Sequence, residues 1–118
     1  MNLKYEVLRY SNLNGYPIED YNDLKCTCGS SEFELYSDDE EGGAFVTCKS
    51  CGAELDIENS KQNIGECFQN GCNCDNGYFN VGVGKAFHQD TNDVRWVYVG
   101  AHCSKCSLSG VYVDWKEC

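Results

Sequence analysis

The sequence predicts a small all-β protein that is stabilised by metal, and three observations support this prediction. The chain has only 118 residues but contains 10 cysteines. A short chain this rich in cysteine needs disulfides or metal to compensate for a small hydrophobic core. Eight of the cysteines form four close pairs, and segments of alternating polar and apolar residues lie beside these pairs. Such alternation is typical of strands that are buried on one face.

The spacing of the cysteines favours metal binding over disulfides. Close pairs separated by a loop supply two thiolates at a time to a tetrahedral metal. A disulfide framework is the alternative, but it requires an oxidising compartment. Residues 1–10 lack the continuous apolar core of an export signal, so we expect a cytoplasmic protein. The four pairs are Cys26–Cys28, Cys48–Cys51, Cys72–Cys74 and Cys103–Cys106.

The order of these pairs occurs twice along the chain, with C-x-C followed by C-x-x-C in each copy. The C-x-C pairs are offset by 46 residues and the C-x-x-C pairs by 55. A phenylalanine follows each C-x-C pair at the same distance, Phe33 in one copy and Phe79 in the other. We infer the duplication of one supersecondary unit. The first unit spans residues 24–58 and the second unit spans residues 70–115.

Each unit is predicted to form a β-hairpin followed by a third strand, because alternation and β-branched or aromatic residues mark the strands. The hairpin would bring the two cysteine pairs of a unit together. The predicted strands are residues 32–37, 44–47 and 54–58 in the first unit and residues 78–83, 95–100 and 111–115 in the second, with hairpin turns at 38–43 and 89–93.

The segments outside the units are less regular. Residues 2–10 alternate, with Leu3, Tyr5 and Val7 on one side and mostly polar or aromatic residues on the other. This pattern predicts an extra N-terminal strand that joins the sheet of the hairpins or packs on it. Residues 16–21 are predicted to be irregular. Residues 59–71 are polar and join the units, with a short helical turn expected at most.

This arrangement resembles the zinc ribbon family twice over, in a tandem of two ribbons. In the first unit, 19 residues separate Cys28 from Cys48, a spacing typical of paired zinc ligands. In the second unit, 28 residues separate Cys74 from Cys103, so the hairpin is longer. The resemblance implies two structural Zn²⁺ ions, although a four-cysteine iron site would have similar ligands. The expected ligands are Cys26, Cys28, Cys48 and Cys51 for the first ion and Cys72, Cys74, Cys103 and Cys106 for the second.

The expected organisation therefore has four parts. They are an N-terminal strand and loop (1–23), an acidic first ribbon (24–58), a linker (59–69) and a second ribbon (70–118).

Two cysteines and one histidine need separate interpretation. Cys67 either replaces a ligand of the second site or is a free thiol, and we favour the free thiol. Cys118 has no place in the repeat, and a disulfide between Cys67 and Cys118 stays open. His102 adjoins Cys103, so we expect it near the second metal but not among its ligands.

The sequence predicts no catalytic site. A zinc ion held by four cysteines has no open coordination position for a substrate. The segment from His88 to Cys106 differs from the zinc deaminase signature, because Asp90 replaces the catalytic glutamate and no proline precedes the cysteines. No small-molecule substrate is evident, and no apolar run is long enough to span a membrane.

The charge is strongly negative and lies mostly in the first half of the chain. The formal net charge is −10, from 19 acidic and 9 basic residues. Residues 1–60 contain 13 acidic and 4 basic residues, a net charge of −9. This balance disfavours nucleic acid and anionic membranes as partners. The candidate partner-binding residues are the densest acidic run, for which a solvated turn is the commoner explanation: Asp38, Asp39, Glu40 and Glu41.

We expect a non-catalytic module that binds a basic protein. One specific form is an inhibitor or immunity protein that occupies the basic active site of a nuclease or toxin, since opposite charge speeds association. Aromatic side chains are common anchors at such interfaces, and the candidates are Tyr16, Tyr21, Tyr36, Trp96 and Trp115. The alternative, implied by the ribbon resemblance, is a nucleic-acid-associated ribbon of the transcription or translation machinery. It would use the basic residues of the second half, Lys85, Arg95, Lys105 and Lys116.

Overall fold

The computed structural model describes residues 3–91 and 93–117, and most of them lie in antiparallel sheet. One α-helix, α1 (Leu3–Asn14), precedes the strands, and one turn of 3₁₀ helix lies at Lys61–Asn63. The predicted all-β fold with two four-cysteine groups is confirmed. The strands are β1 (Asp20–Asp23), β2 (Phe33–Asp38), β3 (Gly43–Cys48), β4 (Glu54–Asp56), β5 (Phe68–Gln69), β6 (Phe79–Phe87), β7 (Val94–Cys103) and β8 (Ser109–Lys116).

Both predicted hairpins form, and their strands join one sheet. The order of the main strands is β4-β3-β2-β6-β7-β8, so each unit contributes three neighbouring strands. The units meet where β2 pairs with β6, at Phe33 and Phe79. These phenylalanines are equivalent in the repeat, and an antiparallel pair centred on equivalent residues implies a local two-fold axis between the units.

The units exchange the short strands that precede their C-x-C pairs. β1 leads into the first unit but pairs with β6 of the second, and β5 leads into the second unit but pairs with β2 of the first. The Leu24 N–H donates to the Val81 carbonyl at 2.8 Å, and the Asn70 N–H donates to the Leu35 carbonyl at 2.8 Å. The donors, and likewise the acceptors, are 46 residues apart, so the exchange obeys the repeat. We call β1 and β5 the leading strands.

The two units bury one common core. Alternate residues of β2, β3, β6, β7 and β8 point into it, and Phe33, Leu35, Phe79 and Val81 are almost completely buried. The far ends of the units also meet, since a Cβ on Gly42 would lie 2.8 Å from the Cβ of Trp115. The sheet therefore folds over itself around one core that both units line, and a second, smaller cluster lies between α1 and the second unit.

The predicted N-terminal strand is wrong, because residues 3–14 form the helix α1. Its buried residues are Leu3, Val7 and Ser11, which are four residues apart and share one helical face. The helix packs on the outer face of the second unit, where glycines leave space for it. A Cβ on Gly84 would lie 2.8 Å from Val7 Cγ1, and a Cβ on Gly100 would lie 2.5 Å from Val7 Cγ2.

Two smaller expectations have different outcomes. The segment predicted to be irregular, residues 16–21, already enters β1 at Asp20, so that prediction is wrong at its end. The short helical turn expected between the units is present at Lys61–Asn63. Within the described residues, no helix is long and apolar enough to cross a membrane.

Candidate metal centres

Each unit gathers four cysteines where its hairpin begins and ends. In the first unit, the C-x-C pair lies between β1 and β2, Cys48 ends β3, and Cys51 lies in the turn that follows. The second unit repeats this placement. Within each group the four Sγ atoms lie within 4.8 Å of one another. The groups contain the eight cysteines that the sequence pairs indicate: Cys26, Cys28, Cys48 and Cys51, and Cys72, Cys74, Cys103 and Cys106.

The distances between sulfurs fit a tetrahedral metal and not a disulfide. Four sulfurs placed ~2.3 Å from a zinc ion are ~3.8 Å apart, whereas bonded sulfurs are ~2.05 Å apart. The nine cysteines of the described residues are free thiols. Each group can therefore hold one metal ion, in agreement with the expected two zinc ions. The measured Sγ–Sγ distances are 3.5 Å for Cys26–Cys51, 3.6 Å for Cys28–Cys48, 3.4 Å for Cys72–Cys106 and 3.5 Å for Cys74–Cys103.

The turns around the C-x-C pairs have the same backbone in both units. The Cys26 N–H donates to the Ser30 carbonyl and the Cys72 N–H to the Asn76 carbonyl, both at 2.9 Å. One residue of each turn has positive φ, +96° at Gly29 and +71° at the equivalent Asp75. Glycine adopts this region freely, and aspartate is among the few other residues that tolerate it.

The turns around the C-x-x-C pairs match as well. The Cys48 N–H donates to the Ala53 carbonyl and the Cys103 N–H to the Leu108 carbonyl, both at 2.8 Å. Gly52 has φ +74° and the equivalent Ser107 has φ +67°. The C-x-C and C-x-x-C pairs thus lie in two different turns, and each turn recurs in both units with the same hydrogen bonds.

Hydrogen bonds to sulfur favour the thiolate, which is the form that binds metal. N–H groups of Cys51 and Ser50 lower the pKa of Cys48 to about 6 against the opposing effect of burial. Burial is the largest influence on Cys103 and raises its pKa. It is outweighed by donors that include the Cys106 N–H and the Asn76 side chain, and the pKa falls to about 5. Asn76 Nδ2 lies 3.3 Å from Cys103 Sγ, and the first unit has Ser30 at this position.

The two centres lie side by side across the sheet. Cys48 is opposite Phe33, Phe33 is opposite Phe79, and Phe79 is opposite Cys103. Three steps of ~4.8 Å between neighbouring strands place the two cysteines about 14 Å apart. The equivalent phenylalanines therefore lie between the two centres in the sheet, buried in the core that both units line.

The remaining cysteines and His102 stay outside these groups. Cys67 is exposed and belongs to neither group, as expected for a free thiol. Cys118 lies outside the described residues, so its role and the disulfide with Cys67 are untested. His102 follows the sheet alternation onto the face opposite Cys103, where its Nδ1 hydrogen bonds to the Ser109 hydroxyl. It is therefore not a metal ligand here.

The acidic run forms the tip of the first hairpin, and its first residue, Asp38, has a structural role. Asp38 is buried, and its carboxylate accepts hydrogen bonds from the N–H groups of Glu40 and Glu41 in the tip. It also accepts from Gly65 and Glu66 in the connection between the units. These bonds, led by the one from Glu41, lower the pKa of Asp38. The next three acidic residues are exposed beside a groove of about 680 Å³.

The aromatic candidates divide between the core and the surface. Trp115 is buried in the core, and Tyr21 lies over Gly82. Tyr16 stacks on Trp96, with ring centroids 4.7 Å apart. On the outer face of the first unit, Tyr36 stacks on a residue that sequence reasoning did not single out, Phe45, with centroids 4.9 Å apart and planes 8° apart. The available signal was the cross-strand position of these two rings in the predicted hairpin.

These features describe two four-sulfur centres in a sheet whose first half carries most of the negative charge. The centres are placed by turns that recur in both units, and α1 packs mainly on the second unit. Comparisons of the chain with protein-family models, with curated proteins and with solved structures gave no significant match.

Proposed function

We propose that the chain is a non-catalytic tandem zinc ribbon that binds a basic protein. The observation that carries this proposal is the closure of both centres by four sulfurs each. A zinc ion with four protein ligands stabilises a fold, whereas catalytic zinc keeps one position for water or substrate. The metals therefore stabilise a surface, and the function has to be found on that surface.

The charge of the first unit supports a basic partner. Its exposed hairpin tip presents Asp39, Glu40 and Glu41, and the buried carboxylate of Asp38 fixes the tip to the connection between the units. Such a fixed tip pays little conformational entropy on binding. Four thiolates around Zn²⁺ also leave each filled centre with a charge of about −2, so the metals make the protein more acidic.

The specific form of this proposal is an inhibitor or immunity protein for a nuclease or a similar toxin. Enzymes that bind nucleic acid present basic surfaces to phosphate, and a small acidic protein can compete for them. We expect the zinc-loaded protein to inhibit a subset of basic nucleases at stoichiometric concentration. An assay of nuclease activity against increasing protein concentration measures this directly.

The proposal of a basic partner is tested by raising the salt concentration and by removing negative charge from the hairpin tip. The probe is a 12-residue peptide with four arginines, and its control is the same peptide with glutamate in place of arginine. We expect the zinc-loaded protein to bind the first peptide and to lose affinity as salt rises from ~0.05 to ~0.5 M, because screening shortens the reach of the charges. The triple variant Asp39→Asn, Glu40→Gln, Glu41→Gln should bind more weakly. Binding that is indifferent to both salt and the triple substitution would refute the proposal.

The nucleic-acid alternative has less support. Two of its four candidate basic residues are engaged within the protein, because Lys85 pairs with Glu58 at 2.5 Å and Arg95 lies 4.3 Å from the ring centroid of Tyr16. A shift of labelled DNA or RNA by the zinc-loaded protein at low salt would favour this alternative over the basic partner.

A further inference from the structure

The outer face of the first unit carries an open pair of stacked rings. Tyr36 on β2 and Phe45 on β3 are cross-strand partners. Their neighbours Leu35 and Val46 point into the core, so the two rings point away from it. Both rings are only partly buried. We call this surface, together with Glu34, Thr47 and Gln69, the aromatic face.

In the second unit, glycines occupy the positions that are equivalent to the two stacked rings. Offsets of 46 and 55 residues place Gly82 and Gly100 where the first unit has Tyr36 and Phe45. The helix α1 seats Val7 against Gly100, and Tyr21 lies over Gly82. The second unit is thus covered by the chain itself. Within the described ranges 3–91 and 93–117, the one α-helix packs mainly on β6, β7 and β8, and the aromatic face has no such helix over it.

A negative charge is fixed beside the rings. The Glu34 carboxylate accepts hydrogen bonds from the Thr47 hydroxyl at 3.2 Å and from the Gln69 side-chain amide at 2.7 Å. The Tyr36 hydroxyl is 3.5 Å from the same carboxylate. All three donors are uncharged, so they orient the carboxylate and leave its negative charge in place.

The protein already places cations on stacked rings. Lys61 Nζ lies 4.8 Å from the ring centroid of Phe45. In the second unit, Arg95 lies over Tyr16, which itself stacks on Trp96. Elsewhere in the described part of the chain, a lysine lies over Tyr78, and no lysine or arginine lies over Tyr36. Tyr36 is therefore the end of the stack that remains for a cation from a partner.

From this geometry we infer that the aromatic face is the docking surface for the basic partner and that it receives an arginine side chain. The planar guanidinium stacks on Tyr36 while its N–H groups donate to Glu34. Lysine is a weaker occupant, because its ammonium lacks both the plane and the fork of donors. This inference rests on the proposed function and adds to it the place of contact and the chemistry of the contacting group.

The test measures binding of two matched peptides to the zinc-loaded full chain. One peptide has 12 residues with four arginines, and the other has lysine at those four positions. We expect tighter binding of the arginine peptide and perturbed ring signals of Tyr36 and Phe45 in NMR spectra. Tyr36→Thr, which keeps a residue that favours strands, should weaken the arginine peptide about two- to fivefold and abolish the preference over lysine.

Two further variants keep this test decisive. Glu34→Gln removes the charge and keeps the shape of the side chain, so it should also reduce the preference for arginine. Tyr5→Thr is the matched control, since Tyr5 is an exposed tyrosine of α1, which packs mainly on the second unit. Native mass spectrometry should find two metal ions in every variant used.

The outcomes separate the inference from the proposed function. If the arginine peptide binds and Tyr36→Thr and Glu34→Gln bind it as the unchanged protein does, the inference is overturned and the basic partner stands. If neither peptide binds, both proposals are overturned. If single-stranded RNA, but not peptide, perturbs the two ring signals, the face stacks bases and the inference is again wrong.

Discussion

The two units share their metal-binding turns and hairpin register but have different covers on their outer faces. Their metal-binding turns share hydrogen bonds and positive-φ positions, and their hairpins share register. In the second unit, Gly84 and Gly100 admit α1. At the equivalent positions the first unit has Asp38, which binds backbone N–H groups, and Phe45, which stacks on Tyr36. The difference teaches that a few side chains on a repeated sheet decide whether its face is filled by the chain or left for a partner.

The largest expected effect comes from breaking one metal centre. Cys103→Ser should bind one metal ion instead of two and should lose the native packing of both units together, because the core and the leading strands are shared. Structural zinc contributes ~10–16 kcal/mol, which is as large as the whole stability of a small domain. Native mass spectrometry and NMR measure these outcomes. Cys67→Ser is the control and should keep two ions. A Cys103→Ser protein whose first unit keeps its native NMR spectrum would contradict the shared core.

The next effect tests the glycine that admits the helix. Gly100→Ala puts a methyl group 2.5 Å from Val7 Cγ2, so we expect α1 to shift and the free energy of unfolding to fall by about 1–3 kcal/mol. Gly110→Ala is the matched control in the neighbouring strand, since a Cβ there meets nothing within 4 Å. Urea denaturation of both variants measures the difference. Equal stability of the two variants would show that the glycine does not hold the helix.

A smaller effect is expected at Asp38, the residue of the first unit that is equivalent to Gly84 of the second unit. Asp38→Asn replaces one carboxylate oxygen by a donor that faces backbone N–H groups, so the variant should unfold at lower urea concentration than Asp39→Asn at pH 7. The pKa of Asp38 is lowered by folding. Its ionised form therefore stabilises the fold above the ordinary value of about 3.9, and this contribution is lost as the pH falls through the lowered pKa. Identical midpoints for the two variants would contradict the anchoring of the tip.

The smallest effect concerns the cation that covers Phe45. Lys61→Met removes the contact with that ring and the ion pair with Glu54, which together should cost about 0.5 kcal/mol because both are exposed. Lys105→Met, at an exposed position outside the aromatic face, is the comparison for a lost lysine charge. Thermal denaturation measures the loss of stability. A destabilisation of several kcal/mol would show that Lys61 has a larger structural part than its contacts indicate.

The sequence predicted the sheet better than its surroundings. Alternation located the hairpin strands, because each strand has one face in the core, as Leu35 and Val81 do. The close cysteine pairs indicated the metal groups, since ligand spacing is a local property of the chain. The exchange of the leading strands follows the same 46-residue offset as the C-x-C pairs. The exchange itself could not be predicted from the sequence, because pairing between distant segments leaves no local pattern.

The helix was missed for two physical reasons. Its buried face includes the polar Ser11, whose hydroxyl donates to the Leu8 carbonyl and accepts from the Ile18 N–H. Its exposed residues include Leu13, so neither face has a clear apolar pattern. The helix is held by distant glycines of β6 and β7, and such a cause cannot be seen within residues 3–14. The structural part of Asp38 was missed likewise, because its partners Gly65 and Glu66 lie far along the chain.

The exchanged leading strands have a consequence for synthesis on the ribosome. β1 pairs with β6, so residues 20–23 emerge about 60 residues before their partners 82–85. Domains generally begin to fold from the N-terminal side as the chain emerges. The first metal ligands, by contrast, are complete as soon as Cys51 has been made. The nascent chain can therefore capture its first metal ion while its sheet is unfinished, and the ion holds the first hairpin in register until the second unit arrives to complete the core.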